Sequence, residues 1–526
     1  MPMRSVSLCL AALLSLIASA ASAEDATFDP KILAVYQQHC AACHGADRLG
    51  GIGPALLPEN LGRLKKQAAI ETISKGRAAT QMPGFAGQID DADIAALAAF
   101  IFKPLPNVPD WGLADIDASH VLHNALAGLD DTPVHDADPM NLFTVVETGD
   151  HHVTILDGDT FTPLWRFKSR FALHGGAKYS PDGRFVYFGS RDGWVSKYDL
   201  YGLKPVAEIR AGINTRNIAI SSDGKWVMVG NFLPHSLVVL HADDLRPFKV
   251  IEVGDGKGTT SRVSAVYDAR PRRSFVAALK DIKEIWELSY DPDAPPVYGN
   301  FVHNYRPGQV EAVIVDKGPF AVRRIAVEDY MDDFFFDPTY AEVMGAGRTA
   351  KKGIVYNLDA RKKIAELELS GMPHLGSGIV WNLNGRMVMA TPHLREPAVS
   401  VIDMQSWKTI KRIETMGTGF FMRSHENTPY AWVDVFFGKN KDVMHVIDKR
   451  SLEIVKTLRP EPGKTAAHVE FTRDGAYALV SIWEKKGALV VYDAKTLEEV
   501  KRIPMNKPSG KYNVFNKINL SEGTSH

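Results

Sequence analysis

From about residue 139 onward the chain is written in short apolar runs broken by turn residues, and one phrase keeps returning. It is an apolar strand closing on a polar residue, usually acidic or amide, then a short turn, then a strand in which polar and apolar positions alternate. The copies are Ile155-Leu156-Asp157, Lys197-Tyr198-Asp199, Val239-Leu240-His241, Ile285-Trp286-Glu287, Val355-Tyr356-Asn357, Val401-Ile402-Asp403, Val446-Ile447-Asp448 and Val491-Tyr492-Asp493. The eight copies recur about every forty-five residues, with one wider gap. Asp182-Gly183, Asp223-Gly224, Asn384-Gly385 and Asp474-Gly475 supply hairpin turns at corresponding places in four of them. A strand-built unit repeated at this period predicts an all-β propeller, one four-stranded blade per copy and eight blades in all. A pair of β-sandwiches would not need eight equal repeats. The wide gap, from about 290 to 350, holds Pro295-Pro296 and the aromatic run 330–336, and is expected to be an insertion on one face.

Ahead of the repeats the apolar positions take helical spacing. Ile32, Val35 and Tyr36 form a stripe on a helix from Asp29 to Cys40, with Asp29 as its cap and Pro30 in its first turn. Asp90-Asp91 open a second helix that carries Ile94, Leu97, Ala98 and Ile101 and stops before Pro104. Prolines at 104, 106, 109, 133 and 139 then mark a linker, with a short helix expected around 120–129. At the start of the chain, Arg4, the apolar run 6–17 and Ala21-Ser22-Ala23 before Glu24 read as a secretory signal peptide cut after Ala23. The run is too short for a comfortable membrane span, and no later stretch has eighteen consecutive apolar residues. The expected organisation is therefore a signal peptide over 1–23, a small all-α domain over 24–105, a linker over 106–138 and the propeller over 139–526, exported to the periplasm.

Composition changes this picture little. With 526 residues, 45% hydrophobic and 23% charged, the chain is ordinary globular material. A formal charge of −1 gives no global footprint for nucleic acid or for an anionic membrane, and neither is expected as a partner.

The most specific chemistry is Cys40-Ala-Ala-Cys43-His44-Gly45. C-x-x-C-H is the signature of covalent haem attachment: two thiols take the vinyl groups and the adjacent histidine becomes an axial iron ligand. A zinc site would need a second pair of soft ligands. The only other cysteine, Cys9, lies in the signal segment, so the mature chain carries one haem c and no disulfide framework. Gln81-Met82-Pro83-Gly84 places a thioether between the two helices, and Met82 is the sixth-ligand candidate that would raise the haem potential. Gly53-Pro54-Ala55-Leu56 has the look of the segment packing on the histidine side of the haem. In the propeller, the polar groups expected to face the central channel are His174, Arg191, Arg216, His374, His393 and His425. Imidazole for iron and guanidinium forks for carboxylates are what a carboxylated macrocycle would need.

An attachment motif followed by eight propeller repeats resembles the cytochrome cd1 family, whose propeller holds haem d1. Phe171-Ala-Leu-His174-Gly-Gly, Ser190-Arg191-Asp-Gly-Trp194 and Asn214-Thr-Arg216-Asn217 are most similar to the branch of that family that serves haem d1 biosynthesis. The resemblance covers nearly the whole mature chain. It implies His174 as proximal ligand of the d1 iron, Arg191 and Arg216 against the macrocycle's acidic substituents, and His425 at one of the two distal histidine positions. At the other stands Trp381, which cannot deliver a proton and so counts against nitrite reduction, although His374 lies seven residues earlier. The activity implied is a periplasmic dehydrogenase that oxidises a propionate of dihydro-haem d1 to acrylate in the last step of haem d1 biosynthesis. His425 would act as base, with His374 as a second candidate, and electrons would leave through haem c. The partners implied are a tetrapyrrole substrate, an external electron acceptor and a nitrite reductase as recipient of haem d1. A cytochrome cd1 nitrite reductase and a non-catalytic haem d1 carrier are the alternatives.

Overall fold

The protein is described by a computed structural model covering residues 29–51, 53–62, 64–76, 82–107, 109–298, 314–346, 352–520 and 522–524. The signal-peptide reading and Cys9 lie outside the described residues. Eight sheets form the propeller, seven of four strands and one of five. The ring is closed by the chain's end: Pro508–Asn513 is the innermost strand of blade 1 and pairs antiparallel with Leu142–Glu147. The inner strands of blades 2, 3 and 4 are Leu173–Tyr179, Asn214–Ile220 and Val263–Ala269. Those of blades 5 to 8 are Asp333–Phe336, Ile379–Leu383, Met422–Arg423 and Ala466–Phe471.

The strands read as nearly continuous apolar runs because each blade is buried on both faces. In blade 3, Val227, Val229, Val238 and Leu240 pack toward blade 2, while Met228, Leu237 and Val239 pack toward blade 4. Alternation along the strand thus selects which neighbour is touched, and burial against either removes apolar surface from water. The repeated phrase marks the third strand of each blade, and its closing residue ends the strand. Asp199, Asp403, Asp448 and Asp493 each accept backbone N–H groups two and three residues ahead, an Asx turn. In blade 4 the phrase sits two residues early, since Ser289, and not Glu287, opposes the start of strand two. The four Asp/Asn-Gly pairs all join first to second strands.

Two expectations change. The wide gap is an insertion only in its first part, where Val297–Tyr298 pairs with Ile314–Asp316 between the third and fourth strands of blade 4. The aromatic run belongs to the propeller itself: Phe334 and Phe336 pack toward blade 4 and Phe335 toward blade 6, as the inner strand of blade 5. In the linker, the short helix expected around 120–129 is reduced to a single 3-10 turn at Leu126–Gly128, and the α-helix lies earlier, at Leu113–Ala118.

The helices are α1 (Pro30–His39), α2 (Ala41–His44), α3 (Pro58–Leu61), α4 (Lys66–Lys75), α5 (Asp91–Ile101), α6 (Leu113–Ala118) and α7 (Val514–Asn519). Asp29 caps α1 by accepting from Lys31 N, and α5 buries Ile94, Leu97, Ala98 and Ile101. After α6, Val121–Leu122 adds a fifth strand to blade 2, so an edge pairing takes the backbone groups a helix would have used. Helix α4, which buries Ala69 and Ile73, carries only a thin apolar stripe and was not expected.

Burial holds several propeller histidines neutral: His393, His425 and His468 are pushed down, and His445 is pushed down to about 4. An unfolded histidine titrates near 6.5. Below that value the unfolded chain binds protons that the folded chain refuses, so stability falls as pH drops. The melting temperature is expected to decline steadily from pH 7 toward pH 4; a flat profile over that range would contradict this burial.

Candidate functional site

The helical end of the chain builds a histidine-anchored cradle. Tyr36, buried on α1, donates its hydroxyl to Gly45 O at 2.7 Å and fixes the loop after α2. Cys40 and Cys43 are free thiols, half-buried, and Cys40 packs with Met82 against the apolar cluster built on Ile32, Leu97 and Ile101. His44 is buried, and its Nδ1 donates to Pro54 O at 2.8 Å, which leaves Nε2 as the nitrogen with the lone pair. Gly53 lies flat against that ring: a Cβ there would come within 2.8 Å of Cε1. Two adjacent thiols, an imidazole locked by its outer nitrogen and a glycine-lined ring face fit a covalent haem, which Cys40, Cys43 and His44 would hold.

This cradle sits on blade 3. Ala55 and Leu57 share one apolar cluster with Ile213 and Leu233, Asn60 Nδ2 donates to Ile213 O at 3.3 Å, and Arg210 donates to Leu49 O. Trp111 Nε1 donates to Arg210 O at 2.9 Å while its ring lies under the Arg210 guanidinium. Ile213 immediately precedes the inner strand of blade 3, so the helical unit docks at the end of the propeller where inner strands begin.

Every blade contributes to the channel beneath that end. On blade 2, Gly175 and Gly176 take positive φ of 84° and 77°, and the register of the strand shifts there, which turns His174 inward. A Cβ on Gly176 would press on the Tyr512 ring of blade 1 at 3.2 Å. His174 Nδ1 donates to Arg216 O at 2.8 Å, and its Nε2 meets Arg191 Nη2 at 2.9 Å and Arg216 Nη1 at 3.1 Å. The structure therefore brings His174, Arg191 and Arg216 into one cluster. On blade 4, Tyr267 donates to Asp333 Oδ1 of blade 5 at 2.8 Å. At the entry to blade 6, His374 Nδ1 donates to Phe420 O at 2.6 Å, and its ring lies 4.3 Å from that of Phe420. Blades 2 and 6 stand opposite each other in a ring of eight, and the charge of Arg216, on the inner strand of blade 3, acts on His374.

An aromatic arc completes the wall. Phe421 of blade 7 lies 4.8 Å from His468 of blade 8, which lies 5.3 Å from Tyr512 of blade 1. His468 is a non-glycine residue at φ 50° inside a β-bulge, a conformation that re-aims a side chain out of the strand's alternation. Asp434, fully buried, accepts from the N–H groups of Phe420, Phe421 and His468 and so fixes both sides of the arc. Burial holds His374 neutral, and burial with the neighbouring Lys511 and Arg423 charges does the same for His468. Burial also pushes the Tyr512 hydroxyl up to about 12.

Three expected channel residues are elsewhere. Trp381 faces the core between blades 6 and 7, and its Nε1 donates to Lys449 O at 3.1 Å. His393 bridges Ser370 O and Ser400 Oγ within blade 6. His425 follows the inner strand of blade 7, in the turn at the end away from the helical unit. It is completely buried, accepts from Asn427 N at 3.1 Å, and fills the place that a Cβ on Gly475 would take. Removing the His425 ring should therefore cost stability, about 2–3 kcal/mol for a buried, bonded side chain, and leave tetrapyrrole binding and turnover near wild type. Loss of turnover in a folded His425→Ala protein would contradict this placement. His468, Tyr512, Asp333 and Tyr267 were missed from the sequence. The usable signal was phase, since all four fall on inner strands whose position the repeat fixes.

Two family models match the chain: Cytochrome D1 heme domain over residues 137–517, and Cytochrome C oxidase, cbb3-type, subunit III over residues 30–101. A dihydro-heme d1 dehydrogenase of Pseudomonas aeruginosa is 56% identical over 524 residues, covering 100% of each chain. A nitrite reductase of Stutzerimonas stutzeri is 24% identical, with 96% of each chain covered. The solved structure of dihydro-heme d1 dehydrogenase NirN in complex with DHE superposes with a TM-score of 0.86 at 58% identity, covering 92% of this chain and 99% of that one.

Proposed function

The chain belongs to the cytochrome D1 heme domain family and serves haem d1 biosynthesis, and from that premise we propose that it oxidises a propionate side chain of dihydro-haem d1 to acrylate in the periplasm. The observation that carries this reading is the pair of neutral imidazoles, His374 and His468, set in the same channel as His174. Making the double bond breaks two C–H bonds on adjacent carbons, so two protons and two electrons must leave. An imidazole that burial keeps unprotonated is a proton acceptor at neutral pH.

His174 offers Nε2 to the iron of the substrate, and Nδ1, tied to Arg216 O, holds the ring in place. Arg191 and Arg216 lie beside that nitrogen, where guanidinium forks can meet the macrocycle's carboxylates. Phe421 and Tyr512 offer ring faces along the wall, and Tyr512, held protonated, can donate to a carboxylate. His374 or His468 takes the first proton and the other the second. Cys40, Cys43 and His44, with Met82 packed beside Cys40, would hold a covalent haem, which would supply one-electron transfer to an external acceptor. The signal peptide read at the start of the chain puts this chemistry outside the cytoplasm, where such haem attachment occurs. No helix among the described residues is long and apolar enough to cross a membrane.

A second reading has one observation in its favour: two distal histidines are also what nitrite reduction uses. It requires them as proton donors, however, and burial beside Lys511 and Arg423 makes His468 a poor one. Supplying nitrite and an electron donor to the protein loaded with haem d1 is expected to give little nitric oxide. Rapid nitrite turnover that disappears in His374→Ala would favour the second reading over the first.

A further inference from the structure

The inner strands end, at the face away from the helical unit, around a cavity of about 90 Å³. Its lining includes Lys178, Tyr267, Asp268, Arg270, Tyr340 and Lys517. Tyr179, Ile220 and Ala269 are the last residues of the strands of blades 2, 3 and 4, so the cavity lies at the opposite end from His174, about 10 Å away along the paired stretch Gly189 to Val186 at about 3.3 Å per residue. Helix α7 crosses this end, with Lys517 buried beneath it and half-buried Leu520 just beyond its last turn.

We propose that this cavity is the outlet for the protons released by the oxidation, fed from the channel through the Asp333–Tyr267 pair and handed to solvent by way of Lys178 and Asp268. The proposal rests on the dehydrogenase reading. In that reaction two C–H bonds break and one C=C bond forms. The two electrons leave singly to a one-electron acceptor at the helical end, and two protons must reach water each turnover. The entry end is lined by the groups that hold the substrate, whereas the far end holds ionisable groups in sequence. His374 feels the charge of Asp333. Asp333 Oδ1 accepts from Tyr267 at 2.8 Å, and the Lys178 ammonium lies 5.8 Å from the Tyr267 ring. Lys178 in turn faces the charges of Asp333 and Arg423, and its own charge acts on Lys517. Asp268 Oδ1 accepts from Tyr290 at 2.7 Å, Tyr290 bonds Ser222 at 2.8 Å, and Arg270 and Asp223 are the charged groups facing Asp268. Asp268 Oδ2 is buried with no protein partner among the described residues. Burial, with Arg423, brings Lys178 down to about 8, and burial brings Asp268 up to about 7. Both then exchange protons near neutrality at small cost, which is what a relay needs.

The test is single-turnover oxidation of dihydro-haem d1 by the full holoprotein with excess one-electron oxidant. Product is read by mass, and proton release by a pH-indicating dye. Tyr267→Phe and Lys178→Gln are expected to slow product formation and proton release together by about tenfold or more. They should also enlarge the solvent deuterium effect and regain rate when a small weak base such as imidazole is added. Leu520→Trp, which narrows the mouth without touching the relay, should slow proton release in the same way. Wild-type rates in all three variants, or slow variants that a weak base does not rescue, would overturn the outlet. Absence of product in the wild type would overturn the dehydrogenase reading itself, before any variant is compared.

Discussion

A His468→Ala variant is expected to oxidise dihydro-haem d1 about 10²–10⁴-fold more slowly than wild type while binding it nearly as well, the usual loss when a general base is removed. The ring of His468 lies between Phe421 and Tyr512, and a β-bulge at φ 50° holds it out of the strand's alternation. Asp434 fixes that bulge through the His468 N–H and fixes Phe420 and Phe421 beside it. The backbone conformation does not depend on the imidazole, so alanine should leave the wall standing and remove only the proton acceptor. His374→Ala should show a comparable loss, because His374 is the other neutral imidazole on this channel. If one of the two variants keeps wild-type turnover, that histidine is not a base, and the remaining one must take both protons. Rates of single turnover, read beside the affinity for the macrocycle, separate these outcomes.

His174→Ala should act on the other side of the reaction. The residue offers the one imidazole nitrogen that the geometry sets between Arg191 and Arg216, with Nδ1 already committed to Arg216 O. Without it the substrate iron loses its protein ligand, and the affinity for the tetrapyrrole should fall by more than about 100-fold, beyond the effect of removing a mere outer-shell partner. A haem held by Cys40, Cys43 and His44 should be untouched, since His44 is anchored separately on Pro54 O. Optical titration with dihydro-haem d1 checks this, with the haem c spectrum as internal control. Unchanged affinity would place the iron ligand elsewhere on the channel.

Much of the architecture was legible because it is periodic. The repeated third strand is buried on both faces and in six blades is closed by an Asx turn, so it leaves a similar trace around the ring, and the count of eight followed from it. What periodicity could not show was an element that breaks it. The run 330–336 looked like part of an insertion because blade 4 is interrupted before its fourth strand, and only packing against Val343 and Tyr356 reveals Phe334 as core. The C-x-x-C-H stretch could be singled out because its chemistry is local, and the structure sets Cys40, Cys43 and the anchored His44 in one cradle. His174, Arg191 and Arg216 were legible through resemblance, and they do meet. His425 and Trp381 were misjudged because position within a blade decides which end of the propeller, or which face of the strand, a residue occupies. His425 lies past the end of its inner strand and Trp381 points between blades. His468 reaches the channel through a bulge that no alternation rule foresees.

The most direct test is anaerobic incubation of the holoprotein with dihydro-haem d1 and a one-electron acceptor, with the extracted macrocycle weighed and the haem on Cys40 and Cys43 followed optically. The account predicts a macrocycle lighter by two hydrogen atoms, formed as the haem on Cys40 and Cys43 is reduced. A macrocycle recovered at its starting mass, with an electron acceptor present and His174-dependent binding intact, would contradict it and leave a protein that carries haem d1 without oxidising it.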